Sequence, residues 1–441
     1  MQPVDLLVHA RWVLPIEPAG AVLPGYGIAV DGGRIVAISP SASLREVYAP
    51  TTEVTCGSHA LLPGFVNAHN HAAMSLLQGA PLRGSVQQWL RESIWPLENR
   101  WVSAEFVRVG TQLAIGQMLR AGITTFADMY LFPEEVARLA SELRLRIAVG
   151  LPVAEARTAW AENADEYLDK GAALWDAHRS DPWASLYFAP HAPYSVSDST
   201  LGRLRRIADQ LDAPIAMHLH ETTAEVRESL AAHGVRPLAR LAQLGLLRPG
   251  FSAIHLNDLD ATDLDLCARS GLAAVHCPQS NLRHGSGVSP IAELLSRGVN
   301  VALGTDGPAS CGTPDVLGEA RLAALLAAGL SGQPDRLDAH AALRMATLGG
   351  ALALGLDAQT GSLVAGKSAD FIAVDLSQMI GAGTHRLAEA LLQDATRADV
   401  SDVWVAGRRV VFDQELQIMD LAELHERARQ WIARLGLGAA A

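Results

Sequence analysis

The pattern of apolar and polar positions changes twice along the chain. Residues from about 4 to 60 contain short apolar runs separated by turns, and Asp31-Gly32-Gly33 lies between two of them as a hairpin signature. From about residue 61 onward, longer apolar runs alternate with stretches rich in Ala, Leu, Arg and Glu. Short strand-like runs return near residue 361, and residues 421–435 have the spacing of an amphipathic helix.

The central region predicts a parallel barrel. Helices cover both faces of a parallel sheet, so its strands are apolar throughout instead of alternating. Eight such strands separated by helical stretches, over roughly 250 residues, are typical of a (β/α)8 TIM barrel. The candidate strands are Leu61 to Val66, Ile123 to Asp128, Arg146 to Val153, Leu186 to His191, Pro214 to His220, Phe251 to Leu256, Leu272 to His276 and Asn300 to Asp306.

These patterns divide the chain into two predicted domains of an α/β protein. Residues 61–357 form the barrel, which we expect to be the catalytic domain. Residues 1–60 and 358–441 contribute the first and second parts of a small β-sandwich domain, and the second part ends in the helix.

Metal-competent side chains end most of the predicted barrel strands, at the rim where TIM barrels carry their active sites. His69 and His71 end the first strand one residue apart, so they leave it on the same face. Asp306 ends the eighth strand, and His218 and His220 share a face of the fifth. A catalytic zinc needs three or four nitrogen or oxygen ligands. We therefore predict a metal site of His69, His71, Asp306 and either His218 or His220.

Charge, hydropathy and cysteine content indicate which partners and which compartment to expect. The 441 residues carry a formal net charge of −12 with a pI near 5.7 and no basic run, so we expect no nucleic-acid partner. No apolar run approaches the roughly 18 residues of a membrane-spanning helix, and the N-terminus lacks a signal-peptide pattern, so we expect no membrane partner. The four cysteines form no Cys-x-x-Cys pair, which indicates reduced thiols in the cytoplasm.

Several motifs together resemble the amidohydrolase superfamily, in the aminohydrolase branch that deaminates purines and related heterocycles. They are Pro63-Gly64-Phe65-Val66-Asn67-Ala68-His69-Asn70-His71, His218-Leu219-His220-Glu221, His255, Val275-His276-Cys277-Pro278-Gln279-Ser280-Asn281 and Leu303-Gly304-Thr305-Asp306-Gly307. Within the branch, the chain is most similar to the deaminases of 5-methylthioadenosine and S-adenosylhomocysteine. That similarity lies in Trp89-Leu90, Ile94-Trp95-Pro96-Leu97-Glu98 and Ala189-Pro190-His191-Ala192-Pro193-Tyr194.

The resemblance implies a role for each residue of the site. The family pattern His-x-x-Glu selects His218 as the metal ligand and Glu221 as the acid/base that serves the ring nitrogen of the substrate. His255 would orient the attacking water, and Asp306 would take its proton. His220 is then a packed histidine behind the ligands.

For the substrate, the resemblance implies that Glu98 holds the ribose hydroxyls and that His191 contacts the nucleoside beside Glu221. Many of these enzymes have an arginine late in the third strand, where this chain has Val149-Gly150-Leu151-Pro152. Recognition of the 5′ substituent is therefore open at this point.

One metal ion per subunit is expected. Relatives with two metals usually bridge them with a carboxylated lysine at the end of strand four, where this chain has His191. The lysines are at Lys170 and Lys367, and neither occupies that position. Ligands of this type suit Zn²⁺, with Fe²⁺ as the alternative. Homo-oligomers are common in the branch, which makes one an expectation here.

The preferred function is hydrolytic deamination of an adenosine-type nucleoside, a small molecule, to the inosine analogue and ammonia. The same site could instead deaminate a free base such as guanine or cytosine, or act as a triazine chlorohydrolase or aminohydrolase. A catalytically silent scaffold would be expected to lose metal ligands, which this chain retains.

Overall fold

The computed structural model describes residues 1–379 and 383–437. The chain packs into two compact units. The first comprises the described residues of 1–66, 116–125 and 315–420, and the second those of 67–115, 126–314 and 421–441. The domain boundaries given above remain a prediction.

The strands alternate with helices through the middle of the chain and are separated by fewer helices towards both ends. In chain order they are β1 (Gln2–Val13), β2 (Leu23–Pro24), β3 (Tyr26–Asp31), β4 (Arg34–Pro40), β5 (Tyr48–Pro63), β6 (Phe65–Asn70), β7 (Ile123–Asp128), β8 (Arg146–Val153), β9 (Ala184–Pro190), β10 (Ile215–Leu219), β11 (Phe251–His255), β12 (Ala273–His276), β13 (Asn300–Leu303), β14 (Phe371–Asp375), β15 (Val400–Val405), β16 (Arg408–Phe412) and β17 (Glu415–Leu416).

In the described residues, the helices range from 4 to 17 residues, and the one of 17 residues lies between the first two barrel strands. They are α1 (Ser41–Val47), α2 (Val86–Trp89), α3 (Trp95–Trp101), α4 (Ala104–Arg120), α5 (Pro133–Leu143), α6 (Ala164–His178), α7 (Asp198–Leu211), α8 (Thr223–His233), α9 (Pro237–Gln243), α10 (Ala261–Ser270), α11 (Pro278–His284), α12 (Ile291–Ser296), α13 (Pro308–Cys311), α14 (Val316–Ser331), α15 (Ala339–Arg344), α16 (Gly350–Ala353), α17 (Leu387–Gln393) and α18 (Leu421–Leu435). A π-helical turn, Leu90–Ile94, joins α2 to α3.

Strands from the two ends of the chain form one mixed sheet of nine strands, in the order β17-β16-β15-β14-β5-β1-β3-β4 with β2 beside β1. Strand β5 bridges the two ends, since it pairs in parallel with β1 and antiparallel with β14. Phe371 stacks on Trp404 with ring centroids 4.6 Å apart, within a buried cluster that includes Val8 and Leu61. The prediction that N- and C-terminal strands combine is confirmed.

The other sheet is a nearly closed parallel barrel, which confirms the (β/α)8 prediction. Its strands follow chain order from β6 to β13. At the remaining gap, the backbone N–H groups of Thr305 and Asp306 donate to the carbonyl of His69 at 3.1 and 3.0 Å. The Asn67 amide donates to the Thr305 hydroxyl at 2.8 Å, so the first and last strand ends are tied together.

The first barrel strand begins later than the sequence indicated. Leu61 and Leu62 belong to the mixed sheet, where Leu62 pairs with Ile372, and the barrel strand starts at Phe65. Between them lies Gly64, where an added Cβ would stand 2.0 Å from the Thr124 hydroxyl oxygen. A single apolar run thus contributes to two sheets. Its apolar character alone does not show where the strand of the mixed sheet ends and the barrel strand begins.

The C-terminal helix α18 occupies the predicted residues 421–435. Its Trp431 packs edge-on against Phe106, with ring centroids 5.4 Å apart. Among the helices of the described residues, none has the length and apolar character needed to cross a membrane.

Candidate active site

Four of the predicted ligands converge at the carboxyl ends of strands β6, β10 and β13. His71 Nε2 lies 3.3 Å and His69 Nε2 3.5 Å from Asp306 Oδ1. His218 Nε2 lies 3.1 Å from His69 Nε2. Potential ligand atoms of His69, His71 and Asp306 fall within 4.8 Å of one another, and those of His69 and His218 do so together with His255.

Backbone carbonyls hold two of these rings in place through their outer nitrogens. His71 Nδ1 donates to the Met129 carbonyl at 2.5 Å, and His218 Nδ1 donates to the His191 carbonyl at 2.8 Å. A hydrogen bond of this kind sets the tautomer, so that Nε2 carries the lone pair that a metal needs.

The charges of the group suit a divalent cation. Burial lowers the pKa of His69 to about 4 and holds the pKa of His218 well below its usual value, so both rings are neutral near pH 7. Burial opposes ionisation of Asp306, but hydrogen bonds from His69 and His71 hold the pKa of its carboxyl well below the usual range. Burial acts to lower the pKa of His71, but its hydrogen bonds to Asp306 and Met129 and the charge of nearby carboxylates outweigh burial and raise that pKa above the ordinary value. Metal binding would therefore displace a proton from His71. Once His71 is neutral, three nitrogen donors and one carboxylate match the ligand set of a catalytic zinc site.

Glu221 lies beside this group and keeps a proton near neutral pH. The side chain is buried, and burial together with the charge of Asp306 raises the pKa of Glu221 to about 8. His255 Nε2 lies 3.8 Å from Glu221 Oε1, and the His255 ring is held by its Nδ1 contact with Asn281 at 2.8 Å. A carboxylic acid that is protonated at pH 7 can donate a proton to a substrate.

Two residues at strand ends adopt left-handed backbone conformations that non-glycine residues seldom use. His255 has φ of 80° and Asp306 has φ of 63°. Such conformations cluster at active sites, where the surroundings hold them. Asp306 is held by Ser280, whose hydroxyl donates to Oδ2 at 2.5 Å, and by the N–H of Gly307, which donates to Oδ1 at 2.7 Å.

A cavity of about 330 Å³ opens above the convergence point. This volume lies in the range of small-molecule sites. Five polar residues at its base, here named the catalytic floor, are His71, His218, Glu221, His255 and Asp306.

The predicted substrate-binding residues Glu98 and His191 line the cavity, as does Glu221, the third residue predicted to contact the substrate. The Tyr130 hydroxyl donates to Glu98 Oε1 at 2.7 Å, and burial raises the pKa of Glu98. His191 contacts the Ser195 hydroxyl through Nδ1 at 3.0 Å, and burial lowers the pKa of His191 to about 4. A neutral imidazole and a hydrogen-bonded carboxyl are therefore available to a ligand.

His220 is turned away from the catalytic floor. Strand β10 ends at Leu219, and His220 has φ of 53°, so the alternation that places it on the face of His218 stops one residue earlier. Its Nδ1 donates to the Asp258 carbonyl at 2.7 Å, and its Nε2 accepts the N–H of Leu238 at 2.9 Å. These contacts make His220 a link between backbone segments.

His276 is also buried, at the end of β12, and burial lowers its pKa to about 3. Within the part of the chain that the structure describes, neither of its ring nitrogens has a hydrogen-bond partner.

Sequence reasoning missed one histidine of the cavity. The His284 ring lies 4.7 Å from that of Trp89, and its Nε2 lies 3.2 Å from the hydroxyl of Ser310. Counting described partners only, the buried Trp89 Nε1 and His284 Nδ1 have no hydrogen bond, and both residues line the cavity. Ser310 could have been found, since it follows Asp306 by four residues. His284 lies inside a polar helix and carried no signal.

Comparison with known proteins places these features in context. The sequence profile of the Amidohydrolase family matches residues 60–410. The chain is 40% identical to a 5-methylthioadenosine/S-adenosylhomocysteine deaminase from Teredinibacter turnerae, over 98% of each protein. It is 39% identical to a deaminase of the same name from Saccharophagus degradans, over 98% of this chain and 97% of that protein.

Solved structures show the same architecture. An adenosine deaminase from Xanthomonas campestris with bound zinc superposes with a TM-score of 0.97 at 43% identity, covering 99% of this chain and 100% of that one. An atrazine chlorohydrolase from Arthrobacter aurescens, complexed with zinc, superposes with a TM-score of 0.89 at 24% identity, covering 97% of this chain and 100% of that one. The second likeness concerns the fold alone.

Proposed function

Because this chain belongs to the amidohydrolase family, as its motifs predicted, we propose that it deaminates an adenosine-type nucleoside. The products are the inosine analogue and ammonia. The observation that carries the proposal is the grouping of His69, His71, His218 and Asp306 at one end of the barrel, with the buried Glu221 lining the same cavity. 5-Methylthioadenosine and S-adenosylhomocysteine, which the names of the relatives give, are the proposed substrates.

His69, His71, His218 and Asp306 would hold one divalent ion, for which zinc is proposed, as in the Xanthomonas structure, with Fe²⁺ as the alternative. When bound, such an ion makes a water molecule more acidic, lowering its pKa from about 15.7 towards 7. Four protein ligands are compatible with binding a water molecule, since catalytic metal sites keep one position free of protein ligands.

Proton transfers are assigned to two carboxyl groups. Asp306 accepts a proton from the water as its oxygen bonds to C6, and Glu221 donates its proton to N1 of the purine. Glu221 then regains a proton from the new hydroxyl group, while Asp306 gives its proton to the amino group, which leaves as ammonia. His255 Nε2 lies 3.8 Å from Glu221 Oε1, and the charge of Asp306 also acts on this ring, so His255 is assigned to orient the water.

Glu98 and His191 are assigned to the sugar. Tyr130 holds one oxygen of Glu98, which leaves the other free to accept the ribose hydroxyls. Glu98 therefore distinguishes a nucleoside from a free base.

The proposal extends to a cytoplasmic enzyme with a small-molecule partner. All four cysteines are buried and unbridged, which suits a reducing compartment. A homo-oligomer is proposed because such assemblies are common in this branch of the family. Analytical ultracentrifugation, which measures the mass of the particle in solution, tests this.

The test is ammonia release by zinc-loaded protein from adenosine analogues, guanine, cytosine and an aminotriazine. Adenosine analogues should be turned over, and Glu98→Ala should lower their kcat/KM by about a hundredfold while leaving any free base nearly unaffected. Failure on every adenosine analogue contradicts the proposal, and turnover of a free base or triazine alone would support the alternative functions.

A further inference from the structure

We propose that the cavity selects nucleosides with an apolar, uncharged 5′ substituent, such as methylthio, over the zwitterionic homocysteinyl group. The inference rests on the proposed function, because that function fixes how a nucleoside lies in the cavity. With C6 at the catalytic floor and the ribose at Glu98, the 5′ carbon points away from the floor.

The cavity lining on that side is mainly apolar. Its apolar surface, here named the outer wall, comes from the segment spanning α2 to α3, from the chain after β7 and from the end of β8 with the residues that follow it. The same segments also contribute Asn99, Arg157 and Thr158 to the lining. The residues of the outer wall are Leu90, Ile94, Trp95, Leu131, Val153 and Ala154. Each presents hydrocarbon or an aromatic ring, and an alkylthio group loses no hydrogen bond when it leaves water for such a surface.

Buried side chains pack behind the outer wall and hold it in place. Leu131 and Ala154 lie against a buried cluster that contains Trp160 and Tyr167. In turn, the Tyr167 hydroxyl lies 2.6 Å from that of Thr158, and Trp160 Nε1 donates to Glu134 at 3.0 Å. The wall is therefore backed by a hydrogen-bonded core, which favours a fixed apolar shape.

Large apolar side chains remain exposed where the cavity opens. Trp95 is 36% exposed and Tyr194 is 38% exposed, although both line the cavity. Exposed apolar surface of this kind, grouped at an opening, is typical of a binding groove for an apolar group.

Charge on the cavity surface disfavours a carboxylate at the 5′ end. Among the described residues that line the cavity, Arg157 is the single arginine or lysine, against the carboxyl groups of Glu98, Glu221 and Asp306. The Arg157 side chain is 75% exposed, and its Nε already pairs with Glu162 Oε2 at 2.9 Å. An exposed, paired guanidinium contributes little to binding a further anion.

The homocysteinyl group would therefore bring a carboxylate and an ammonium group against six apolar side chains, none of which can pair with either charge. Desolvation of unpaired charges opposes binding. A methylthio group meets the same wall without that cost, and longer neutral alkylthio groups should be tolerated because they too carry no charge.

The experiment compares kcat/KM of the zinc-loaded full chain for 5′-methylthioadenosine, 5′-butylthioadenosine, S-adenosylhomocysteine and adenosine. The butylthio group matches the carbon chain of the homocysteinyl group but has no charge, so this pair separates charge from size. We expect the two alkylthio substrates to differ by less than about tenfold, and S-adenosylhomocysteine to fall about a hundredfold below the butylthio compound.

Equal efficiency for S-adenosylhomocysteine and the butylthio compound would overturn the inference. So would a loss confined to S-adenosylhomocysteine in Arg157→Gln, because that result would make Arg157 a carboxylate site. We expect Arg157→Gln to change the ratio of the two efficiencies by less than about twofold. Absence of turnover for all four nucleosides would count against the proposed function instead, so the two failures are distinguishable.

Discussion

The catalytic floor and the outer wall of the cavity differ in what holds their side chains. On the floor, His71 and His218 are oriented by carbonyl acceptors, and Asp306 by Ser280. On the outer wall, apolar contacts alone define the surface, and Trp95 is partly exposed. Directional contacts suit bond-making steps, whereas an apolar surface ranks ligands by size and charge. Changes to the floor should therefore affect every substrate alike, and changes to the wall should alter the ranking of substrates.

Asp306→Asn should give the largest effect. Asparagine keeps the size of the side chain but removes the charge that binds a metal and accepts a proton. We expect kcat/KM to fall roughly 10⁴-fold for adenosine and for 5′-methylthioadenosine equally. Steady-state kinetics with metal analysis of the purified variant tests this, and a loss that differs between the two substrates would break the distinction between floor and wall.

Glu221→Gln should come next, with a loss of roughly 10³-fold in kcat and unchanged metal content. The pH profile provides a sharper test. Glu221 acts while protonated, and burial raises its pKa to about 8, so kcat/KM of the wild type should fall as pH rises through that value. The residual activity of the variant should lack this decline. If kcat/KM of the wild type stays constant up to pH 10, Glu221 does not act as the proton donor.

Glu225→Gln tests the support behind the floor. Both Glu225 carboxylate oxygens accept backbone N–H groups, those of His220 and Glu221, at 2.9 Å. Glutamine turns an NH₂ group towards one of these donors, so we expect kcat to fall about tenfold and the free energy of unfolding to fall by about 1–3 kcal/mol. Glu228→Gln, on the exposed face of the same helix, is the matched control and should leave both quantities unchanged.

Trp95→Ala should give the smallest and most selective effect. Loss of about 1 kcal/mol of apolar contact corresponds to a roughly fivefold lower kcat/KM for 5′-methylthioadenosine. Adenosine, which has a hydroxyl at the 5′ position, should be nearly unaffected. Trp101→Ala, at the other end of α3 and outside the cavity lining, serves as control. An equal loss of kcat/KM for both substrates would contradict the proposal that Trp95 contacts the 5′ substituent.

The floor could be predicted from sequence because metal chemistry restricts residue types and barrel topology restricts where they lie. His69, His71, His218 and Asp306 each end a predicted strand, and the structure brings them together. Their roles remain predictions. Sequence alone could not separate His218 from His220 without the family pattern. The left-handed backbone at His220 turns its side chain away, and the alternation of side chains along a strand does not indicate such a turn.

Other features depend on contacts between residues that are distant in sequence. The outer wall combines Leu90, Leu131 and Ala154 from three separate segments, and no local pattern links them. Glu225 has the appearance of an ordinary helix-start acid until its contacts with His220 and Glu221 are seen. Leu61 belongs to the mixed sheet for a similar reason, since its partner Ala373 lies far along the chain.

The most direct test of the central claim is ammonia release from 5′-methylthioadenosine by protein with one zinc ion per chain, beside the same protein stripped by a chelator. We predict turnover with formation of the 6-oxo product by the zinc-loaded protein, loss of turnover on chelation and recovery when zinc is returned. Zinc-loaded, folded protein that releases no ammonia from this substrate or any other adenosine analogue would contradict the account.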